Sequence, residues 1–181
     1  MQKNARNRAR RMANSKNATP SLRNNGMRSR SATTFIIVGA ESASGAKKVL
    51  ECEPSTKSLF QLFDPDSVFS KKHLILAYEN AAAAFKNRTN RSRSMSTEML
   101  LFASAQRQIS EAIRLSGAKD GSRFIIFTDS AAAFDRAVPL LSHIKPVGGK
   151  EYGGRAAIKR LGLEGTELAD LAQAMALSGM Q

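Results

Sequence analysis

The sequence has one cysteine, Cys52, two histidines, His73 and His143, and no tryptophan. A lone thiol excludes an internal disulfide, and with only two histidines beside it the chain cannot assemble the usual zinc ligand sets. No metal or cofactor is expected. Cys52 lies between Glu51 and Glu53, whose negative charge disfavours a thiolate, so it reads as a small half-buried residue rather than a nucleophile. No apolar run approaches the roughly 18 residues of a membrane-spanning helix, and no apolar h-region follows the basic N-terminus. The expectation is an intracellular, cytoplasmic protein with no place in a membrane.

The patterns of common catalytic sites are also missing. The stretch Gly39 to Lys48, GAESASGAKK, follows an apolar run where a phosphate-cradling loop would lie. It has five residues between its glycines instead of four, Ala46 before Lys47, and no hydroxyl after the lysines to hold magnesium. A turn entering a helix is the better reading. The two histidines are isolated and the acids scattered, so no acid–base pair or nucleophilic triad can be argued from spacing. Enzyme activity is unsupported.

What is abundant is positive charge. The formal net charge is +13, the signature of a polyanionic partner, either nucleic acid or an anionic membrane face. Residues 1–33 carry nine of the cations, from Lys3 to Arg30, and no acid, which leaves 19 basic against 15 acidic residues in the remainder. That segment has too few apolar side chains to offset its ordering entropy and reads as a disordered basic tail. A flexible nucleic-acid arm, an organelle transit peptide and an over-long reading frame starting truly at Met12 or Met27 are its three readings.

Residues 34–181 read as one domain. Phe35-Ile36-Ile37-Val38, closed by Gly39, has the β-branched run of a buried strand, and Arg123 to Thr128 (RFIIFT) is as apolar. Leu59 to Phe63 is a further strand, with Asp64-Pro65-Asp66 as its turn, and Ile144 to Val147, with Pro146, suits a sheet edge. Gly45 to Leu50 reads as a short helix. A long helix is expected from an N-cap at Ser70, with Leu74, Ala77, Tyr78, Ala81 and Phe85 at three- and four-residue steps. Lys86 to Ser94 breaks it with a basic exposed loop holding Arg91 and Arg93. Helical periodicity returns from Thr97 to Leu115, then over Ala131 to Leu141, Arg155 to Leu161 and Thr166 to Leu177. The fold class is therefore α/β, a small mixed four-stranded sheet covered by helices.

Three stretches stand out. Lys71, Lys72 and His73 occupy the first turn of the long helix, where the macrodipole disfavours cations; they form either a solvated basic face or a phosphate site. Phe102, Gln106, Ile109 and Ile113 share one face of a continuous helix, which puts an amide on an apolar stripe. Either Gln106 is buried and hydrogen-bonded, or the helix breaks near Ser104-Ala105 and presents Gln106, Arg107 and Gln108 outward; an i, i+4 pair with Glu111 is the alternative for Arg107. In the last helix Leu168, Leu171, Ala172 and Met175 form an ordinary core stripe and Leu177 lies away from it, as a core element or a docking one.

The run Glu98 to Gly121, EMLLFASAQRQISEAIRLSGAKDG, closely resembles the central motif of the tRNA-binding accessory subunit of the KEOPS complex, E-[IM]-L, A-S-G-Q-R-Q-I, E-A-I and G-A-K-D/N-G. SKKHLILAYENA, from Ser70 to Ala81, resembles the same family's K-K-H segment at the right distance, and the resemblance covers roughly residues 34–178. It implies a non-catalytic subunit of the machine that installs threonylcarbamoyl on adenosine 37 of tRNA. By that resemblance the subunit binds the single-stranded 3′ CCA end of tRNA, docks onto the small atypical kinase/ATPase subunit partly through C-terminal helices, and serves the catalytic threonylcarbamoyl-transferase subunit indirectly. Carried over by motif, Lys71, Lys72, Gln106, Arg107 and Gln108 would form the RNA site, with Arg91 and Arg93 as backbone contacts. Leu168, Leu171, Met175 and Leu177 would dock the kinase. Ala105 departs from the family's glycine, and strain of about 1 kcal/mol is expected there if the position needs a positive φ. The competing readings are a free-standing RNA-binding module, ribosome- or tRNA-associated and without a kinase partner, and an enzyme using the Gly39 loop.

Overall fold

The structure, a computed structural model, describes residues 34–52, 59–119, 123–147 and 152–179; the basic segment 1–33 lies outside them. The strands are β1 (Ile36–Glu41), β2 (Phe60–Phe63), β3 (Arg123–Thr128) and β4 (His143–Pro146). They form one sheet in the order β2-β3-β1-β4. The helices are α1 (Gly45–Leu50), α2 (Lys71–Asn87), α3 (Met95–Ala103), α4 (Ile109–Ser116), α5 (Ala131–Ala137), α6 (Arg155–Arg160) and α7 (Leu168–Gly179). None of the described helices is long and apolar enough to cross a membrane.

The expected four-stranded sheet under helices is present, but its strands pair antiparallel throughout instead of mixing both senses. β1 and β2 flank β3, and β3 and β4 flank β1, so the connections β1 to β2 and β3 to β4 each skip a strand while β2 and β3 are direct neighbours, the split βαβ order. Gly39 does not close β1. It lies within the strand, paired to Ile125 on one side and Lys145 on the other.

Alternation along β3 builds two cores. Phe124 and Ile126 join Ala40, Phe60 and Leu62 under α1 and α5. Ile125 and Phe127 join Leu59 and Phe63 on the opposite face, beneath α2, α3 and α7. Tyr78 of α2 belongs to this second core: its ring meets Phe35 edge-on at 4.5 Å and lies 6.3 Å from Phe127. Both edges of the sheet differ from its centre. All of β2 is buried, whereas β4 is exposed along its length and carries Lys145 and Pro146, residues that blunt an edge.

α2 starts where its sequence indicates, with Ser70 Oγ accepting the His73 N–H at 3.3 Å. Leu74, Ala77, Ala81 and Ala84 form its buried stripe, and Arg88 ends it in the left-handed conformation at φ 59°. α3 is capped by Ser94, whose hydroxyl accepts the Thr97 N–H. From Met99 to Ala103 every residue of α3 is buried, as a helix apolar on all sides must be. It packs against α2, α4 and α7.

His73 joins these two helices. Its ring is fully buried, Nδ1 accepts the Phe69 N–H at 3.0 Å, and Nε2, which therefore carries the proton, donates to the Ala103 carbonyl at 2.9 Å. At the sheet's end, Asp64 takes the guanidinium of Arg160 at 2.6 Å and the ammonium of Lys119 at 3.5 Å, tying α6 to β2.

Burial of the His73 imidazole pushes its pKa from 6.5 down to about 4, with the hydrogen bond to Ala103 opposing the shift. The unfolded chain thus takes up this proton first. The stabilisation is complete above about pH 6.5 and is lost as pH falls toward 4, a change of roughly 3 kcal/mol from this one group. Urea unfolding at pH 7 and pH 4.5 should show a larger drop for the wild type than for His73→Gln, which has no proton to gain. An equal drop would assign the acid sensitivity to other groups.

Candidate nucleic-acid interface

The helical stretch after Thr97 is broken, and the break builds the site. α3 ends at Ala103, and Ala105 stands at φ 51°. The Ala105 N–H donates to the Phe102 carbonyl at 2.9 Å and the Gln106 N–H to the Leu101 carbonyl at 3.0 Å, the paired bonds of a Schellman turn. Ser104 Oγ donates to the Leu100 carbonyl at 2.8 Å, and His73 satisfies Ala103. The four terminal carbonyls of α3 are therefore all answered. Of the two readings for Gln106, the broken helix holds: Gln106 is half-buried, and Arg107 and Gln108 are exposed. Gln108 is the N-cap of α4 but makes no side-chain capping bond.

The break also overturns the single apolar stripe expected of a continuous helix. Phe102 stays in the core, whereas Ile109 and Ile113 emerge 40% and 54% exposed, because α4 restarts on a new axis and packs inward through Ala112 and Ser116. Glu111 pairs with Arg114, whose Nε donates to it at 2.9 Å.

Between the turn and the last helix runs an open groove of about 580 Å³. One wall is Ala105, Gln106, Arg107, Gln108 and Glu111; the other is Ala174, Leu177 and Ser178 of α7, with Leu163 from the preceding connection. Arg107 Nη2 reaches from the first wall to the Leu177 carbonyl of the second at 3.3 Å. Lys71 and Lys72 are exposed in the first turn of α2, joined to the Ala105 turn through the next residue, His73.

Other indicated residues fall differently. Arg93 is exposed, but Arg91 is half-buried and its guanidinium donates to the Ser178 carbonyl, so it holds the end of α7 rather than extending from an open loop. Leu171 and Met175 are fully buried in the core and can offer no surface to a partner. Their stripe is the one that packs α7 down. Leu168 is half-buried and Leu177 is 55% exposed. Of the Gly39 to Lys48 stretch, Gly39 to Glu41 belong to β1, and the expected turn and helix occupy the rest, with Gly45 at φ 82°.

One residue that sequence reasoning missed is Glu98. Its side chain is buried and accepts the backbone N–H groups of Arg91 at 3.0 Å and Ser92 at 2.7 Å, which pins the basic loop to α3. The signal available was an acid in an otherwise apolar helix four residues beyond Ser94. The exposed Ile109 and Ile113 were missed because a helical period is silent about a change of axis.

The sequence profile of the kinase binding protein CGI-121 matches residues 41–145, more than half of the chain. The chain belongs to the CGI-121 family. It is similar to the regulatory protein Cgi121 of Methanocaldococcus jannaschii, 41% identical over 70 residues, which are 39% of this chain and 46% of that protein. The match thus spans about half the length of that relative. The family matched includes the Ala105 turn and the first wall of the groove, and stops before α6 and α7.

Alanine at a left-handed position carries about 1–2 kcal/mol of strain. Glycine would remove it at an entropic cost of about 0.5–1 kcal/mol. Ala105→Gly should therefore raise the unfolding free energy by a net of roughly 0.5–1 kcal/mol, read as a higher urea midpoint with an unchanged m-value, and Ala105→Val should lower it by more. A glycine variant less stable than the wild type would contradict the turn.

Proposed function

We propose that this chain is a non-catalytic accessory subunit of the KEOPS complex. In this reading it docks onto the atypical kinase/ATPase subunit, binds the 3′ CCA end of tRNA, and so supports threonylcarbamoyladenosine formation at position 37 by the catalytic transferase subunit. Membership of a kinase-binding family supports the docking role, and the name of the relative, a regulatory protein, suits a subunit without its own chemistry.

The observation that carries the RNA role is the Ala105 turn. It sets an amide, a guanidinium and a second amide on the wall of an open groove, with two exposed lysines one hydrogen bond away. An unpaired CCA end offers Watson–Crick edges to amides and phosphates to cations, and exposed Ile109 supplies an apolar face for a base. Lys71, Lys72, Gln106, Arg107 and Gln108 are the contacts assigned, with Arg93 reaching the backbone. Residues 1–33 add a basic arm that strengthens RNA binding without sequence preference. For the kinase, Leu168 and Leu177 are the residues of the original set that keep exposed surface.

The test is binding of the full chain to tRNA and to the same tRNA trimmed of its CCA end, at salt high enough to suppress generic electrostatics. Trimming should weaken binding about tenfold or more, and Arg107→Ala should remove most of that difference. Replacing Lys71 and Lys72 by alanine should weaken both RNAs alike and flatten the salt dependence by about one phosphate contact per lysine. Equal affinity for the two RNAs would leave only generic binding, and failure to co-purify a kinase subunit would favour a free-standing RNA-binding module.

A further inference from the structure

The groove is open, yet its long cation lies across it. Arg107 belongs to the turn, and its Nη2 donates to the Leu177 carbonyl on the opposite wall at 3.3 Å. Leu177 stands in the last turn of α7, where carbonyls have no intrahelical donor and the helix dipole ends in partial negative charge. Arg91 donates to the next carbonyl, that of Ser178. Two guanidinium groups from different parts of the chain thus hold one helix end.

They are held unequally. Arg91 is half-buried, on a loop fixed by Glu98. Arg107 is exposed, and its bond is at the long end of the hydrogen-bonding range. A phosphate carries full charge and can take two parallel N–H bonds from a guanidinium, so it outcompetes the Leu177 carbonyl for the Nη2 donor.

We infer that Arg107 is a two-position latch: it closes on the Leu177 carbonyl when the groove is empty and turns to a phosphate when an RNA strand enters. Arg91 stays on Ser178 in both positions and is the fixed clasp. This inference rests on the RNA reading above and adds its regulation. Because α7 and RNA compete for one donor, RNA affinity and the order of the last turn of α7 oppose each other, and by linkage each changes the other by the same factor. Anything that draws that turn away primes the groove for RNA.

The experiment measures affinity for CCA-ended and trimmed tRNA with full chains that loosen the last turn. Ser178→Pro removes a helical N–H there, and Ala176→Gly, at an exposed residue outside the groove lining, loosens the turn more gently. Each should tighten CCA-ended tRNA by about threefold to tenfold, the net worth of about one hydrogen bond no longer competed for. Adding Arg107→Ala to either should cancel the gain. Hydrogen exchange of residues 175–179 should quicken when CCA-ended tRNA binds the wild type. If both variants bind CCA-ended tRNA no better than wild type while Arg107→Ala alone still weakens it, the latch is overturned and the RNA reading stands, with α7 a fixed prop. If no protein distinguishes the two RNAs, the RNA reading falls and takes the latch with it.

Discussion

The hydrogen bond from the His73 imidazole to the Ala103 carbonyl is the constraint from which the candidate interface follows. A helix that stops inside a protein must find donors for its last four carbonyls, and α3 stops in the most apolar part of the fold. Three of the four are answered locally, by the Schellman turn and the Ser104 hydroxyl. The fourth needs a donor from elsewhere, and burial keeps His73 neutral so that one ring nitrogen donates while the other accepts from Phe69. The same bond that ends α3 therefore ties the first turn of α2, which carries Lys71 and Lys72, to the helix end from which the turn starts.

The last helix is held from two sides for different reasons. Leu171 and Met175 are fully buried, each worth about 1.5–3 kcal/mol of transfer free energy, and they seat α7 on α2 and α3. Its end is held by charge, through Arg91 and Arg107 on consecutive carbonyls. An apolar stripe at one face and cations at one end leave Leu177 exposed between them. Of the residues expected to dock a partner, Leu171 and Met175 are thus core, and Leu177 keeps its exposed surface at the groove.

What could be read from the sequence was whatever depends on near neighbours. The β-branched runs of β1 and β3, the Ser70 cap and the three- and four-residue steps of α2 are local, and the structure has them close to where they were expected. The break at Ala105 was harder, because alanine is the best helix former and neither glycine nor proline marks the position. An amide on an apolar stripe indicated trouble there without deciding between a buried Gln106 and a broken helix. Arg91 was misread and Glu98 missed for a common reason: their partners lie in other elements, and composition and period carry no information about which elements meet. The period did mark the Met175 stripe as core, and only the docking role carried over by resemblance failed for Leu171 and Met175. The sense of strand pairing failed likewise, since it follows from crossovers that skip a strand.

The two walls of the groove rest on different grounds. The turn wall lies within residues 41–145, where the chain matches its family, and its geometry follows from capping requirements that any helix ending there would face. The α7 wall lies beyond that match, and its place follows from Leu171 and Met175 packing inward and Arg91 and Arg107 gripping the end. Only the turn wall carries the amides that can read a base edge, while the α7 wall offers apolar surface and backbone carbonyls. In the RNA-binding reading proposed above, discrimination between nucleotides falls to Gln106 and Gln108. In the same reading the α7 wall would set how readily the groove opens, its Ser178 hydroxyl being already engaged in donating to the Met175 carbonyl.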